Sequence, residues 1–191
     1  MNEFVFARRG ELLAVPAVVL AALGKPNAFS IAVGLPLAFA GEAIRAWAVG
    51  YSGVTTRGDT VTAPALVTAG PYAYVRNPLY VGNFITALGF ALAFTGANGR
   101  LARTALVTGA LGTMLGVYGI VVPHEERFLR ETFGAEFDAY VADVPRILPR
   151  TAPAGEGAGT YDPSVIARAE SRTFITFGAM LLALAFKARK A

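Results

Sequence analysis

The chain has 191 residues, 54% of them hydrophobic and only 16% charged, against roughly 25% charged in soluble domains. Its mean hydropathy is +0.50; a soluble fold of one domain would leave much of this apolar surface in water, so an all-α, membrane-embedded chain is expected. With no cysteine, one histidine (His124) and a net charge of +4 without a dense basic stripe, the expectations exclude disulfides, thiolate catalysis, a metal centre and nucleic-acid binding.

Arg8-Arg9 followed by an apolar run over 12–24 imitates a secretory leader. The run contains Pro16, however, and passes through Lys25-Pro26-Asn27, a tight hairpin, into a second apolar helix over 28–50, so a retained first span is expected. Glu42 and Arg45 sit one turn apart inside the second span, where they can pair with each other or line a pocket. A polar segment over 51–77 leads to two charge-free stretches, 77–99 and 104–123, joined by a short turn. Each reaches the roughly 20 residues that cross about 30 Å of hydrocarbon. Gly109, Gly112, Gly116 and Gly119 give the latter a small-residue face suited to close helix packing.

From His124 the pattern turns amphipathic, with Phe128, Leu129, Phe133, Phe137, Tyr140 and Val141 against Glu126, Arg130, Glu131 and Asp138, as expected of a helix lying on the cytoplasmic membrane surface. After Pro145 and Pro149, residues 151–160 read as a flexible linker. Its Gly155-Glu156-Gly157-Ala158-Gly159 has neither the preceding strand nor the spacing of a dinucleotide loop. A C-terminal helix over 165–187 contains the short apolar run 173–186. Because 12–24 is short too, the bundle has about five spans, or four and a re-entrant half-span.

Two spans separate 70–82 from 124–126, so the chain crosses and returns, and both segments share one face. Arg8, Arg9, Arg57, Arg76, Arg127, Arg130, Arg146, Arg150, Arg168 and Arg172 fall there. Lys25, Arg100, Arg103 and the tail Lys187, Arg189 and Lys190 fall opposite, so the motif face of this multi-pass protein is expected toward the cytoplasm. The basic tail conflicts with a fifth complete crossing, and the conflict vanishes if the last segment is re-entrant.

Two constellations carry chemistry. In the first, residues 66–82, Asn77 is a good N-cap and Pro78 a good first helical residue, so a span should begin here with its positive dipole end toward the polar loop. Arg76 adds a fixed charge, which suits the carboxylate of an amino-acid-like ligand. Each residue singly also fits an ordinary capped helix start with interfacial tyrosines and a snorkelling arginine; the string as a whole does not. The second constellation is His124-Glu125-Glu126 followed by Leu129, Phe133-Gly134, Phe137, Tyr140 and Val144-Pro145-Arg146. Acidic residues after Pro123 also suit a helix first turn, and adjacent helical residues point about 100° apart, so one glutamate at most should face a pocket.

The first string, with Gly70-x-Tyr72 followed by Arg76-Asn77-Pro78-x-Tyr80-x-Gly82, resembles a block of the isoprenylcysteine carboxyl methyltransferase family, relatives of the phospholipid methyltransferases. The second string is similar to that family's second block, and together they span a core of about 42–149 within a single domain, 1–191. The resemblance implies a membrane-embedded methyltransferase that binds S-adenosyl-L-methionine without a Rossmann domain and acts on a lipophilic acceptor. It implies that Leu66, Val67 and Tyr72 line the cofactor, that Asn77, Pro78, Leu79 and Tyr80 hold it at the helix start, and that Glu125 binds it from the next span. Arg57, Pro64 and Ala65 also fall where the family touches the cofactor, and Arg76 is a further cofactor-binding candidate. Many members carry histidine where Asn77 stands; an amide can hydrogen-bond but not titrate. Members acting on prenylated cysteine carry an arginine one turn before the glutamate matching Glu125, where this chain has Val121, so a substrate carboxylate would meet no cation there. Glu126, Glu42 and Arg45 remain as catalytic candidates. The rival readings are an NADPH-dependent membrane reductase of the sterol reductase type, for which no arginine cluster is evident, and a non-catalytic helix bundle.

Overall fold

The computed structural model describes residues 2–53, 63–155 and 157–190, with the side chains of 2 and 3 left aside; Arg57 lies outside the described residues. Helices α1 (Asn2–Ala7) and α2 (Arg9–Leu23) lead into α3 (Ala28–Ser52), a 3₁₀ turn over Gly70–Ala73, and α4 (Pro78–Thr95). Then come α5 (Arg100–Phe133), α6 (Ala135–Asp143), a 3₁₀ turn over Pro163–Val165, α7 (Ile166–Ala169) and α8 (Ser171–Ala188). Four helices, α3, α4, α5 and α8, are long and apolar enough to cross a bilayer. The 15-residue α2 is a shorter fifth, so an all-α bundle of about five membrane helices is what the chain forms.

The hairpin over 25–27 forms for a local reason. Asn27 and Ser30 make a capping box: the Ser30 amide donates to Asn27 Oδ1 at 2.8 Å and the Asn27 amide to Ser30 Oγ at 3.1 Å. At the same end of the bundle, the Lys25 amide donates to Asn98 Oδ1 at 2.7 Å and Asn98 Nδ2 to the Leu23 carbonyl at 3.1 Å, clasping the α2–α3 and α4–α5 turns together.

The densest helix pairing is α3 against α4, and its seam is glycine. A Cβ on Gly41 would lie 2.5 Å from the Gly82 carbonyl oxygen, and one on Gly89 would lie 2.3 Å from the Ala38 nitrogen. The expected small-residue packing face on α5 is corrected: nothing lies within 4 Å of a Cβ on Gly109, Gly112, Gly116 or Gly119. Glycine spacing alone does not reveal which helix has a neighbour close enough to need it.

The boundary at Pro123 also moves. Proline removes one i→i−4 bond but kinks rather than ends a helix whose neighbours hold it, and α5 continues through Pro123 to Phe133, as α2 and α3 do through Pro16 and Pro36. At 1.5 Å per residue its 34 residues reach roughly 51 Å, more than the hydrocarbon thickness, so α5 carries its last turns out of the membrane. Gly134, with φ of +52°, then turns the chain into α6. The expected surface helix is therefore two pieces, the end of α5 and α6.

Helix α8 runs from one end of the bundle to the other and is long and apolar enough to cross a bilayer. It begins beside Glu170, which bonds Arg45 on α3, and it ends where Lys187 Nζ donates to the carbonyls of Ala22 and Gly24, each at 2.9 Å, at the far end of α2. Between these points Phe177 packs edge-on against Phe90 with centroids 5.0 Å apart, in a core with Leu20, Phe94, Met180 and Leu184. The re-entrant alternative is set aside, and the basic tail stands on the face opposite the motifs.

The stretch read as a flexible linker is tied down. The amides of Thr68 and Ala69 donate to the Ala158 carbonyl at 2.9 and 3.0 Å, Ala154 N donates to Ala73 O at 2.9 Å, and Asp162 N to Gly50 O at 2.7 Å. It straps the 66–77 loop against the end of the bundle.

Candidate functional site

Helix α4 starts at Pro78 and presents Asn77, Tyr80, Asn83 and Thr86 at every third residue, one polar stripe up an otherwise apolar helix. Opposite, α5 brings Tyr118, Glu125 and Glu126. The two glutamates point in different directions, as adjacent helical residues must, and each organises its own cluster.

Glu125 faces the stripe. The Tyr80 hydroxyl donates to Glu125 Oε1 at 2.7 Å, and the Tyr80 and Tyr118 rings lie 4.5 Å apart. Asn83 Nδ2 donates to the Tyr118 hydroxyl at 2.8 Å and Asn83 Oδ1 accepts from Arg45 Nη1 at 2.6 Å. Arg45 Nη2 in turn donates to both Glu170 oxygens, at 2.8 and 2.7 Å, with Glu170 fully buried. A polar path thus runs from α8 through α3, α4 and α5 to Glu125. Of the two alternatives for Glu42 and Arg45, mutual pairing is not what forms: Arg45 reaches Glu170, which the intervening loop and α7 bring under it, while Glu42 is buried one turn away on α3. Tyr72, on the 3₁₀ turn, closes this cluster. Burial pushes its phenol up to about 12 against the opposing hydrogen bond to Ser52, and Glu125, Arg45 and Glu170 are near enough to act on it. Arg9 is near enough for its charge to act on Tyr80 and Glu125.

Glu126 faces the other way, 6% exposed. It accepts from Arg76 Nε at 3.1 Å, Asn77 Nδ2 at 3.2 Å and Arg146 Nε at 3.0 Å. Arg76 also donates to the carbonyls of Val141 and Val144 at the end of α6, and the Tyr140 hydroxyl to the Tyr72 carbonyl at 2.7 Å. Burial raises the Tyr140 phenol. These bonds fasten α6 to the 70–77 loop and so hold Tyr72 in place. Asn77 occupies the N-cap position of α4 but makes no cap with its side chain, because its amide is turned to Glu126. Arg146, the last residue of the second string, is drawn onto Glu126 and held charged by those hydrogen bonds.

The remaining residues divide plainly. Leu66 is buried against Phe137, Tyr140 and Val144, beside a cavity of about 210 Å³ that also touches Ala73 and Ala154. Val67 is half-buried, Pro64 and Ala65 are exposed, Pro78 is fully buried and Leu79 half-buried. Val121 has no exposed surface and packs with Phe6, Met114, Val117, Tyr118 and Val122. The structure thus groups Tyr80 and Glu125 with Arg45, linked through Asn83 and Tyr118 and with Tyr72 nearby, gathers Arg76, Asn77 and Glu126 into a second cluster, and seats Val121 in the core behind Tyr118 and Tyr80 and Leu66 against Tyr140. Asn83, Tyr118 and Glu170 were missed; the three-residue spacing of the α4 stripe was the legible signal for Asn83. Among the described residues no three His, Asp or Glu side chains form a metal-holding group.

Fold and site define a polytopic helical membrane protein whose polar centre is assembled at one end from two motif blocks. The sequence profile of the phospholipid methyltransferase family matches residues 29–136, more than half the chain, and the chain belongs to that family of membrane methyltransferases. It is 37% identical over 84 residues to the protein-S-isoprenylcysteine O-methyltransferase of Schizosaccharomyces pombe, covering 44% of this chain and 33% of that protein. It is 31% identical over 121 residues to a probable protein-S-isoprenylcysteine O-methyltransferase of Oryza sativa subsp. indica, covering 61% and 60%. It is also 39% identical over 85 residues to the cobalt-zinc-cadmium resistance protein CzcN of Cupriavidus metallidurans, covering 44% and 36%. The chain thus matches between about a third and three fifths of the length of these relatives. No solved structure matches.

Proposed function

We propose that the chain transfers the methyl group of S-adenosylmethionine to a lipophilic acceptor drawn from the bilayer, with the donor held at the Tyr72–Tyr80–Glu125 corner on the cytoplasmic face. The observation that carries this reading is the 2.7 Å bond from Tyr80 to Glu125, which joins the two motif blocks at one point. The residues present suit such a donor. Among the described residues Glu125 has a single side-chain bond, from Tyr80, so most of its lone-pair sites remain for ribose hydroxyls or an α-ammonium. The faces of Tyr72, Tyr80 and Tyr118 can stabilise a sulfonium by about 0.5–2 kcal/mol each.

When bound, the cofactor supplies an electrophilic methyl on a sulfonium. The protein's part is positioning: Arg76, Asn77 and Glu126 hold the loop that carries Tyr72, and Arg45, Glu170, Asn83 and Tyr118 fix the ring of Tyr80. Leu66, Val67, Pro78 and Leu79 add apolar walls at the start of α4, with Pro64 and Ala65 at the rim. Holding nucleophile and methyl in line is worth roughly 7–11 kcal/mol of barrier. Membership of a methyltransferase family weighs against the reductase and the non-catalytic bundle.

A ligand-stabilisation experiment on the purified chain in detergent tests the reading. S-adenosylmethionine and its demethylated product should raise Tm and NADPH should not. Stabilisation by NADPH alone would restore the reductase; no shift with any of the three would favour the bundle.

A further inference from the structure

A cavity of about 480 Å³ opens where the α2–α3 hairpin meets the end of α8, lined by Gly24, Lys25, Pro26, Phe186, Lys187 and Lys190 among others. It lies at the opposite end of the bundle from Glu125, since α3 runs from the hairpin at its start to Arg45 about 27 Å further along. Lys187 gives two of its three N–H groups to the Ala22 and Gly24 carbonyls. The ammonium of Lys190 lies 4.2 Å from the centroid of the Phe186 ring. None of these three lysines is in an ion pair among the described residues.

The charge around the cavity is one-sided. No aspartate or glutamate occurs in 24–27, 96–103 or 187–191, although those segments hold Lys25, Arg100, Arg103, Lys187, Arg189 and Lys190; all 13 acidic residues lie elsewhere in the sequence. Ammonium groups at headgroup depth with no protein counter-ion attract phosphate from the lipid. The cavity wall is apolar, with Ala21, Ala183 and Phe186, and beside it Leu23, Leu182 and Phe186 are 61%, 74% and 60% exposed. That surface suits acyl chains, which a free phosphate lacks.

We infer that this cavity binds the headgroup phosphate of an anionic phospholipid, with Lys25, Lys187 and Lys190 around the phosphate and the acyl chains lying along α2 and α8. This lipid occupies the leaflet opposite the methyl-transfer site and is not the acceptor. It also accounts for a basic tail on the face where topology does not call for one: bound lipid supplies the missing counter-charge and pins α8 against α2.

The test is lipid binding by native mass spectrometry of the full chain in detergent, with short-chain phosphatidylglycerol, short-chain phosphatidylcholine and inorganic phosphate as probes. Phosphatidylglycerol should bind in preference to phosphatidylcholine, and its affinity should fall about thirtyfold in Lys25→Gln/Lys190→Gln, which leaves the Lys187 cap intact. Arg100→Gln/Arg103→Gln, on the same face but outside the cavity, should retain it. In the unmodified chain, raising salt should weaken phosphatidylglycerol binding. The proposal is overturned by unchanged affinity in the lysine variant, by equal loss in the arginine variant, by salt-insensitive binding, or by inorganic phosphate competing as well as the lipid.

Discussion

Glu125 and Glu126 are neighbours in sequence and opposites in use, and substitution separates them. Tyr80→Phe removes the donor of the 2.7 Å bond at the end of the bundle, and Glu125→Gln keeps an acceptor there but removes its charge. Both variants should keep their Tm and lose S-adenosylmethionine affinity by about tenfold, the worth of one charge-assisted bond. Glu126→Gln should do the reverse. It strips the counter-charge from Arg76 and Arg146, and although Arg146 is half exposed, Arg76 is buried. A loss of about 2–4 kcal/mol in stability is expected, with ligand affinity falling only as far as Tyr72 shifts. Chemical denaturation and ligand titration on the same samples read both. Equal loss of affinity at the two glutamates with no loss of stability would contradict the division. The sequence made Glu125 and Tyr80 legible through the resemblance of their two strings to the family's blocks, although Glu125 lies inside α5 and not at a helix start. It concealed that Arg76 and Asn77 turn toward Glu126, because that depends on where α6 ends, and Glu170 was hidden as one more acid in a polar stretch.

At the scale of helices, two features follow from packing that no periodicity records. The α3–α4 seam has no room for a side chain at its glycines: Gly41→Ala would set a methyl 2.5 Å from the Gly82 carbonyl, whereas Gly112→Ala on α5 meets nothing within 4 Å. The first should destabilise the fold by about 1–3 kcal/mol and the second should be neutral, as judged by Tm in one detergent. Helix α8 provides the second check. Cysteines placed singly in this cysteine-free chain at 72 and 151 should label from one side of the membrane, and those at 99 and 190 from the other. Labelling of 190 together with 151 would return α8 to a re-entrant path. Charge-free runs made α4 and α5 legible as elements. Their ends were not, because whether Pro123 stops or merely bends a helix depends on what packs around it, and whether 171–188 crosses depends on the Arg45–Glu170 and Lys187 contacts at its two ends.

At the scale of the whole molecule, several cations of the candidate site already have partners, and that bears on the acceptor. Arg45 is held by Glu170 and Asn83, and Arg76 and Arg146 by Glu126. Arg9 stacks 3.9 Å from the Phe6 ring centroid and donates to the Phe6 carbonyl. Val121 stands where the resemblance implies an arginine in members acting on prenylated cysteine, and it is sealed in a core of Phe6, Met114 and Tyr118. A carboxylate entering beside Glu125 would therefore lose its hydration, meet a like charge, and find Arg45, Arg76 and Arg146 already paired, so that it would have to draw Arg9 away from Phe6 to gain a cation. That desolvation amounts to several kcal/mol, enough to reduce binding by orders of magnitude. An amine, thiol or hydroxyl on a lipophilic body carries no such penalty, and an ammonium would be drawn to Glu125. Methyl transfer from labelled S-adenosylmethionine to farnesylated cysteine, run beside a panel of lipophilic amines and thiols, reads the difference. A neutral or cationic acceptor should be turned over at least tenfold faster in kcat/KM than the farnesylated acid, and the preference should persist at low salt, where an unpaired surface cation would help the acid most. Efficient turnover of farnesylated cysteine by the unmodified chain would show that a cation moves into the site on binding, with Arg9 on the short α1–α2 break the first to examine by Arg9→Gln.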